Sequence, residues 1–375
     1  MRYALVGCGK VAEKHLKAAL AHKGRLEIVA LVDRDPKAPA RLLDRCKVNH
    51  SVRSRITLFE DHAKMLLAAK PEIVAITTPS GTHAAIGIDA ISAGAHVLVE
   101  KPLTLDLADA DRLLDVARGS DRRIAVGHMY RFFPMVDLLK ADLDAGRFGR
   151  VLFGDVKVRW GHGQDYYDQG AWRGTWAADG GALMNQSIHA FDLMTWLMGR
   201  SPRAVEEVSG TIARMDRVME AEDYGAAVLR FHDGAICMLE GTTLTDPHRK
   251  EASFFLQCTG GSIRAGLYKG IPRVEIRDAS GKSLLGGYLR RWLALSLRTP
   301  SGRMSLRNLK NAHTALYGDF LDSVRDGRSP RADGASGRDA LELVLAIYRS
   351  ASTRGTVAMP LEEGSTREMK GFFER

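Results

Sequence analysis

The chain has 375 residues, 45% hydrophobic and 26% charged, an ordinary soluble globular composition long enough for two domains with full cores. No apolar run approaches a membrane span, and the N-terminus runs straight into a strand without a signal-peptide pattern, so a cytoplasmic protein is expected. The net charge of +9 suits nucleic acid, a membrane surface or an anionic small substrate alike, while Cys8, Cys46, Cys237 and Cys258 show no paired or metal-type spacing, so reduced thiols and no metal site are expected.

Residues 2–6 (RYALV) form a short apolar run, followed at once by Gly7-Cys8-Gly9-Lys10-Val11-Ala12 and a helical pattern through Leu16 and Leu20. Strand, glycine turn and helix with G-x-G-x-x-A spacing let backbone approach a pyrophosphate at a helix N-terminus. Gly7, Gly9, Lys10 and Val11 are therefore candidate cofactor contacts. Alone this fingerprint is weak, but a second run at 27–32 ends in Asp33, where a carboxylate can accept from a ribose 2′-hydroxyl. Asp33 favours NAD because its charge repels a 2′-phosphate; Arg34 beside it can host that phosphate and keeps NADP open.

Further strand and helix units follow. Residues 72–78 read as a strand ending in Thr77-Thr78-Pro79, with a helix from near Ser80 and His83 in its first turn. The next strand, 96–99, ends in Glu100-Lys101-Pro102, and 123–127 is a sixth, followed by His128. This alternation implies a parallel sheet covered on both faces, with ligand across the carboxyl ends of its strands. Asp33, Thr77, Lys101 and His128 fall at such ends, and Thr78, Pro79, His83 and Glu100 flank them. Lys101 precedes a proline that fixes the chain as extended. In a desolvated cleft beside a nicotinamide its ammonium can hold a substrate hydroxyl and stabilise the developing alkoxide.

After Arg131-Phe132-Phe133-Pro134, a helix through Leu138, Leu139 and Leu143 leads to Gly146, and 151–160 alternates as a strand. Trp172-Arg173 lies in an irregular stretch rich in Gly and Asp. Residues 179–199, DGGALMNQSIHAFDLMTWLMG, read as a helix with Asp179 as N-cap and Gly199 as stop; Leu183, Met184, Ile188, Phe191 and Leu197 recur at helical spacing. Asn185 and His189 are four apart and Asp192 follows three later, so one face carries an amide, an imidazole and a carboxylate. That is the layout of a proton-transfer site, although a lone helical histidine is more often a surface or core residue.

Residues 204–212, 223–232, 235–243, 251–259 and 273–277 read as strands of a largely antiparallel sheet with turns at Asp233-Gly234 and Gly260-Gly261. One face can cover the helices and the other can meet a partner subunit. Between 285 and 310, Arg290, Arg291, Arg298, Arg303, Arg307 and Lys310 occur without an acidic residue, among Tyr288, Trp292, Leu293 and Leu297. A cationic surface or subunit contact is the plainest reading; a clamp for an anionic sugar and a membrane-surface segment compete with it. Nucleic acid is least supported, because the cluster is local and belongs to no binding module. Helices are expected at 312–325 and 336–352, with His313 on the surface or toward substrate, and a polar tail beyond Pro360.

The glycine turn, Asp33, Thr-Thr-Pro, Glu-Lys-Pro and the helix with Asn185 and His189 together resemble the Gfo/Idh/MocA family of nicotinamide-dependent sugar and polyol oxidoreductases over nearly the whole length. The resemblance implies an α/β fold: a doubly wound parallel Rossmann sheet at 1–127, then a C-terminal α/β domain at 128–375 with a large open, mostly antiparallel sheet that often mediates oligomerisation, hence a dimer or tetramer. It places the catalytic lysine on Lys101, the catalytic histidine on His189, and cofactor and substrate contacts at Trp172 and Arg173. Many members carry an aspartate where this chain has Asn185; an amide cannot take a proton, so Asn185 is expected to orient substrate by hydrogen bonds. Leu183-Met184-Asn185-Gln186 and Trp172-Arg173-Gly174-Thr175-Trp176 are similar to the subgroup of UDP-N-acetylglucosaminuronate 3-dehydrogenases and related sugar 3-oxidoreductases. The expectation is an NAD-dependent dehydrogenase or ketoreductase acting on a sugar, sugar acid or nucleotide sugar, neutral or anionic. Relatives that cleave glycosides through transient carbon-3 oxidation, and non-enzymatic nicotinamide-sensing regulators of the same fold, are the alternatives.

Overall fold

The computed structural model describes residues 1–199, 204–298, 300–309 and 311–374. Short aliphatic runs form six strands, β1 (Arg2–Val6), β2 (Glu27–Val32), β3 (Thr57–Phe59), β4 (Ile73–Ile76), β5 (His96–Val99) and β6 (Ile124–Val126). They pair in parallel in the order β3-β2-β1-β4-β5-β6. Every residue of β4 and all but the first of β1 and β5 are buried, which is why these strands read as continuous apolar runs. The order reverses between β1 and β4, the switch point at which such sheets bind nucleotides. Helices α1 (Ala12–Ala21), α2 (Ala38–Arg45), α3 (His50–Arg53), α4 (His62–Ala69), α5 (His83–Ser92) and α6 (Leu107–Gly119) lie between or after these strands. The edge strand β3 is mostly exposed and only three residues long, too little for a periodic signal.

The later chain forms α7 (Val136–Asp144), β7 (Val151–Arg159), α8 (Gln164–Asp168) and α9 (Ile188–Leu197), with a π-helical turn at Ala182–Ser187 leading into α9. Strands β8 (Val205–Ala213), β9 (Tyr224–Phe231), β10 (Ile236–Thr242), β11 (Glu251–Cys258), β12 (Gly261–Tyr268) and β13 (Ile271–Asp278) follow. Helices α10 (Leu285–Arg298), α11 (Pro300–Arg307), α12 (His313–Asp326) and α13 (Gly334–Thr353) precede the two-residue strand β14 (Val357–Ala358). The eight strands β7 to β14 pair in the order β13-β12-β11-β7-β10-β9-β8-β14, antiparallel except for β7 with β10. The sequence reading has no strand at β12, because glycines at 261 and 266 break its apolar pattern.

Two compact units result. One comprises Met1–Thr104, Asp109–Phe133 and Ala294–Gly337; the other comprises Leu105–Ala108, Pro134–Leu293 and Arg338–Arg375. The expected division at 127 and 128 is therefore not where the contacts fall for the later chain. Leu316, Tyr317, Phe320 and Leu321 of α12 are buried in one cluster with Leu5, Leu16 and Leu31, so this helix completes the first core. The expected polar tail is also corrected. Leu361 and Met369 are buried, the Leu361 N–H donates to Glu342 Oε1 at 2.7 Å, and the Thr366 hydroxyl donates to the Trp176 carbonyl at 2.5 Å. Among the described residues no helix is long and apolar enough to cross a membrane.

Candidate functional site

In the first unit the switch point is shaped by Gly7, whose φ of +91° follows β1. A Cβ there would lie 2.7 Å from the Thr77 carbonyl carbon, so only glycine fits the turn. The Thr77 hydroxyl donates to the Gly7 carbonyl at 2.6 Å and is buried, holding the turn from behind. Gly9 has open space where a side chain would stand, and α1 begins after Val11 without a side-chain cap. Its first-turn N–H groups thus lack a side-chain acceptor, which fits an anionic diphosphate. Asp33 is fixed at the end of β2, Oδ2 accepting from the Cys8 N–H at 2.7 Å and Oδ1 from the Asp35 N–H at 2.9 Å. Lys10 and Arg34 are exposed. Arg45, which no sequence signal marks, donates to the carbonyls of Cys8 and Gly9 at 3.2 and 3.1 Å and brings positive charge to the same turn.

Glu100, at the end of β5, is buried among groups the sequence reading did not join. Its Oε1 lies 2.8 Å from His15 Nε2 and 3.3 Å from His313 Nε2, and its Oε2 accepts from the Lys101 N–H at 3.2 Å. His15 Nδ1 continues to the Tyr317 hydroxyl at 3.1 Å, and that hydroxyl to Tyr3 at 2.8 Å. Burial pushes the Glu100 carboxyl up, yet the hydrogen bonds from His15 and His313 outweigh it and hold it well below the usual carboxylate range. Burial lowers His313 in the opposite sense. His313 is therefore neither a surface residue nor a substrate contact here but part of this buried network. Nδ1 of His83 lies 2.8 Å from the Pro102 carbonyl and Nε2 3.0 Å from that of Thr78. Its buried ring braces the two loops around Lys101; burial lowers its pKa, and a neutral ring donates to one of the two. His128, two residues after β6, is buried.

In the second unit the stretch holding His189 is not one α-helix. Asp179 is not its N-cap: the N-cap position is Gly181, and the Asp179 carboxylate accepts instead from the Gly174 N–H at 3.0 Å and from Asn185 Nδ2. Asn185 lies in the π turn, its Oδ1 accepting from Gln186 Nε2 at 2.8 Å. His189 and Asp192 follow in α9 and both are buried. Gly199 ends the helix with φ of +70°, as expected. Arg173 is stacked on two rings, its guanidinium carbon 4.2 Å from the Tyr166 centroid and 4.6 Å from that of Trp172. Tyr166 in turn stacks on His162 at 3.9 Å, and Gln186 Nε2 reaches its hydroxyl at 3.4 Å. A set of planar donors and acceptors thus surrounds the start of the helix, suited to a polyhydroxylated ligand.

The basic stretch divides. Arg291 donates twice to Asp142 of α7, at 2.6 and 3.1 Å, and Tyr288 donates to the same carboxylate at 2.5 Å. Despite burial, those bonds hold Asp142 below the usual carboxylate range. Arg291 is thereby removed from the proposed anion clamp and ties α10 to α7. Arg303 donates to the Leu297 carbonyl at 2.8 Å, Arg290 and Arg298 are exposed, and Lys310 lies outside the described residues.

Comparison with known proteins agrees with this architecture. The profile of an oxidoreductase family with NAD-binding Rossmann fold matches residues 1–128, and that of the GFO/IDH/MocA C-terminal domain matches residues 136–264. The crystal structure of the WlbA dehydrogenase from Bordetella pertussis, in complex with NADH and UDP-GlcNAcA, is 31% identical, with a TM-score of 0.79 over 96% of this chain and 99% of that one. D-glucoside 3-dehydrogenase of Escherichia coli (strain K12) is 25% identical over 94% of this chain and 96% of that protein. The rhizopine catabolism protein MocA of Rhizobium meliloti is 30% identical over 54% of this chain and 58% of that protein. Against three curated relatives at 30% identity the chain spans about half of their length, 41 to 58%.

Proposed function

Because the chain belongs to the Gfo/Idh/MocA oxidoreductases, we propose that it moves a hydride between NAD and a secondary alcohol at carbon 3 of a sugar, most simply a nucleotide-linked sugar acid. The observation that carries this reading is the likeness, over nearly the full length of both chains, to a dehydrogenase solved with NADH and UDP-GlcNAcA. Asp33, held by two backbone N–H groups, supports NAD as the nicotinamide. Gly7, Gly9, Lys10, Val11 and the first turn of α1 would hold the diphosphate, and Asp33 would accept from the ribose with Arg34 beside it. Thr77, Thr78, Pro79 and His128 would wall the nicotinamide side, with His83 and Glu100 setting the backbone around Lys101. The bound nicotinamide supplies the hydride acceptor or donor.

In the oxidative direction His189 takes the hydroxyl proton and Lys101 holds the oxygen on which charge develops. Asn185, its amide fixed between Asp179 and Gln186, orients the sugar, while Trp172 and Arg173 contact cofactor and substrate. His189→Ala should lower turnover by about two to four orders of magnitude while NAD binding survives. The substrate is found by following absorbance of the nicotinamide band with UDP-sugars, sugar acids and simple glycosides. Sugar release without net NADH would replace the dehydrogenase reading with transient oxidation, and wild-type turnover in the His189 variant would remove that residue from the mechanism.

A further inference from the structure

Glu222 is fully buried at the start of the helix that carries His189. Its backbone carbonyl accepts from the Ala182 N–H at 2.9 Å, and its side-chain Oε1 accepts from the Leu183 N–H at 2.9 Å. The Tyr348 hydroxyl of α13 donates to the same Oε1 at 2.8 Å. Oε2 is buried without a hydrogen-bond partner. The site is built tightly: a Cβ on Gly181 would stand 2.1 Å from Oε2 and 2.2 Å from the Glu222 carbonyl. One carboxyl oxygen therefore behaves as a carbonyl acceptor with two donors, and the other is buried without a hydrogen-bond partner. That is the arrangement of a protonated acid, since an unpaired charged oxygen in this environment is strongly disfavoured.

We propose that Glu222, in its protonated form, is a positioning residue for His189: it anchors the first turn of the π segment, and loss of its proton leaves a buried charge on the unpartnered Oε2 that destabilises that turn. The charged and titratable neighbours agree. Asp223 lies next along the chain with its own carboxylate turned to the N–H groups of Met215, Asp216 and Arg217, and it adds negative charge without a bond to Glu222. Tyr348 and Tyr167 are both raised by burial and stay neutral through the ordinary range, Tyr167 donating to Thr243. Burial, opposed by the N–H groups of Leu183 and of Glu222 itself and by the Tyr348 hydroxyl, pushes the Glu222 carboxyl up to about 8. Ionisation thus falls within reach of a working pH. The helix N-terminus would favour an anion, but the missing partner on Oε2 outweighs that attraction.

The kinetic part of this inference rests on the reading of His189 as the proton acceptor; the anchoring part does not. Glu222→Gln keeps an acceptor at Oε1 and cannot ionise. Amide exchange of the peptide 181–190, corrected for intrinsic rates, and melting temperature are measured from pH 5 to 9 for wild type and Glu222→Gln. A carboxyl raised in the folded state gives stability that is complete below its ordinary value of 4.5 and is lost as pH rises toward 8. Glu222→Gln should therefore gain on wild type between those values and then hold its lead, and protection of the peptide should fall above pH 8 in wild type alone. With the sugar identified by the nicotinamide screen, wild-type kcat should fall about tenfold per pH unit on that alkaline limb, while the Gln variant stays flat and both bind NAD alike. Glu222→Ala should lack the anchor at every pH; should it fail to fold, the Gln comparison decides alone. Parallel exchange and melting profiles in wild type and the Gln variant overturn the proposal. A wild type that turns over no sugar refutes the dehydrogenase reading instead, and leaves the exchange profiles to decide the anchor.

Discussion

The Asp33 carboxylate accepts from the backbone N–H groups of Cys8 and Asp35 and has lone pairs left for the ribose of the proposed cofactor. Asp33→Ala should weaken NAD by about 10- to 100-fold, the usual loss for a charge-assisted hydrogen bond, and NADP by less, because the repulsion of a 2′-phosphate goes with the charge. Fluorescence titration of both nucleotides checks this; an unchanged preference would assign the selection to Arg34. Other residues at strand ends turned out to face inward. Glu100 spends its oxygens on His15, His313 and the Lys101 N–H, and His83 turns its ring to two backbone carbonyls. Sequence position marked them as near the cofactor, but the direction of a side chain depends on neighbours that are distant along the chain. His15 itself carries a weak signal, because it stands one residue before Leu16 on the buried face of α1.

Among the elements, α1, β5 and α12 are joined by the His15, Glu100 and His313 network, whose members are 85 and 213 residues apart. Glu100 is depressed in the folded state, so its contribution is present above its ordinary value of 4.5 and lost as pH falls. His313 is depressed as well, so below about 6.5 the unfolded chain takes a proton that the folded chain resists, and stability again falls with acid. Glu100→Gln should cost about 3 kcal/mol at pH 7 and flatten the decline of melting temperature below about pH 4.5. If the two proteins lose stability in parallel across that range, the network does not titrate as argued. The π turn at Ala182–Ser187 is likewise a product of packing. Leu183 and Ser187 sit where Gly225 of β9 and Gly241 of β10 leave no room for a Cβ, and the Ser187 hydroxyl donates to the Ala182 carbonyl at 3.0 Å. Helical spacing located the segment but did not mark the π turn within it.

For the whole molecule, the second sheet leaves one face open. Phe153, Val228, Ile236 and Met238 are 38 to 52% exposed and are direct cross-strand neighbours on β7, β9 and β10. Contiguous apolar surface of this kind is where subunits meet, so a homo-oligomer is expected, and Met238→Glu should reduce its mass in sedimentation without changing the fold. A monomer in both proteins would leave that face to another role. The amino-acid sequence by itself determined the parallel sheet with its glycine turn and the carboxylate of Asp33 at a strand end, the antiparallel sheet, and the helix with His189, because each is written in local periodicity or fixed spacing. Only the tertiary structure decided that α12 belongs to the first core, that Arg291 is committed to Asp142, and that Glu222 lies beneath the helix that begins at Ala182. Those assignments depend on which groups meet after long loops close, and burial then sets their charge states. No local pattern encodes either.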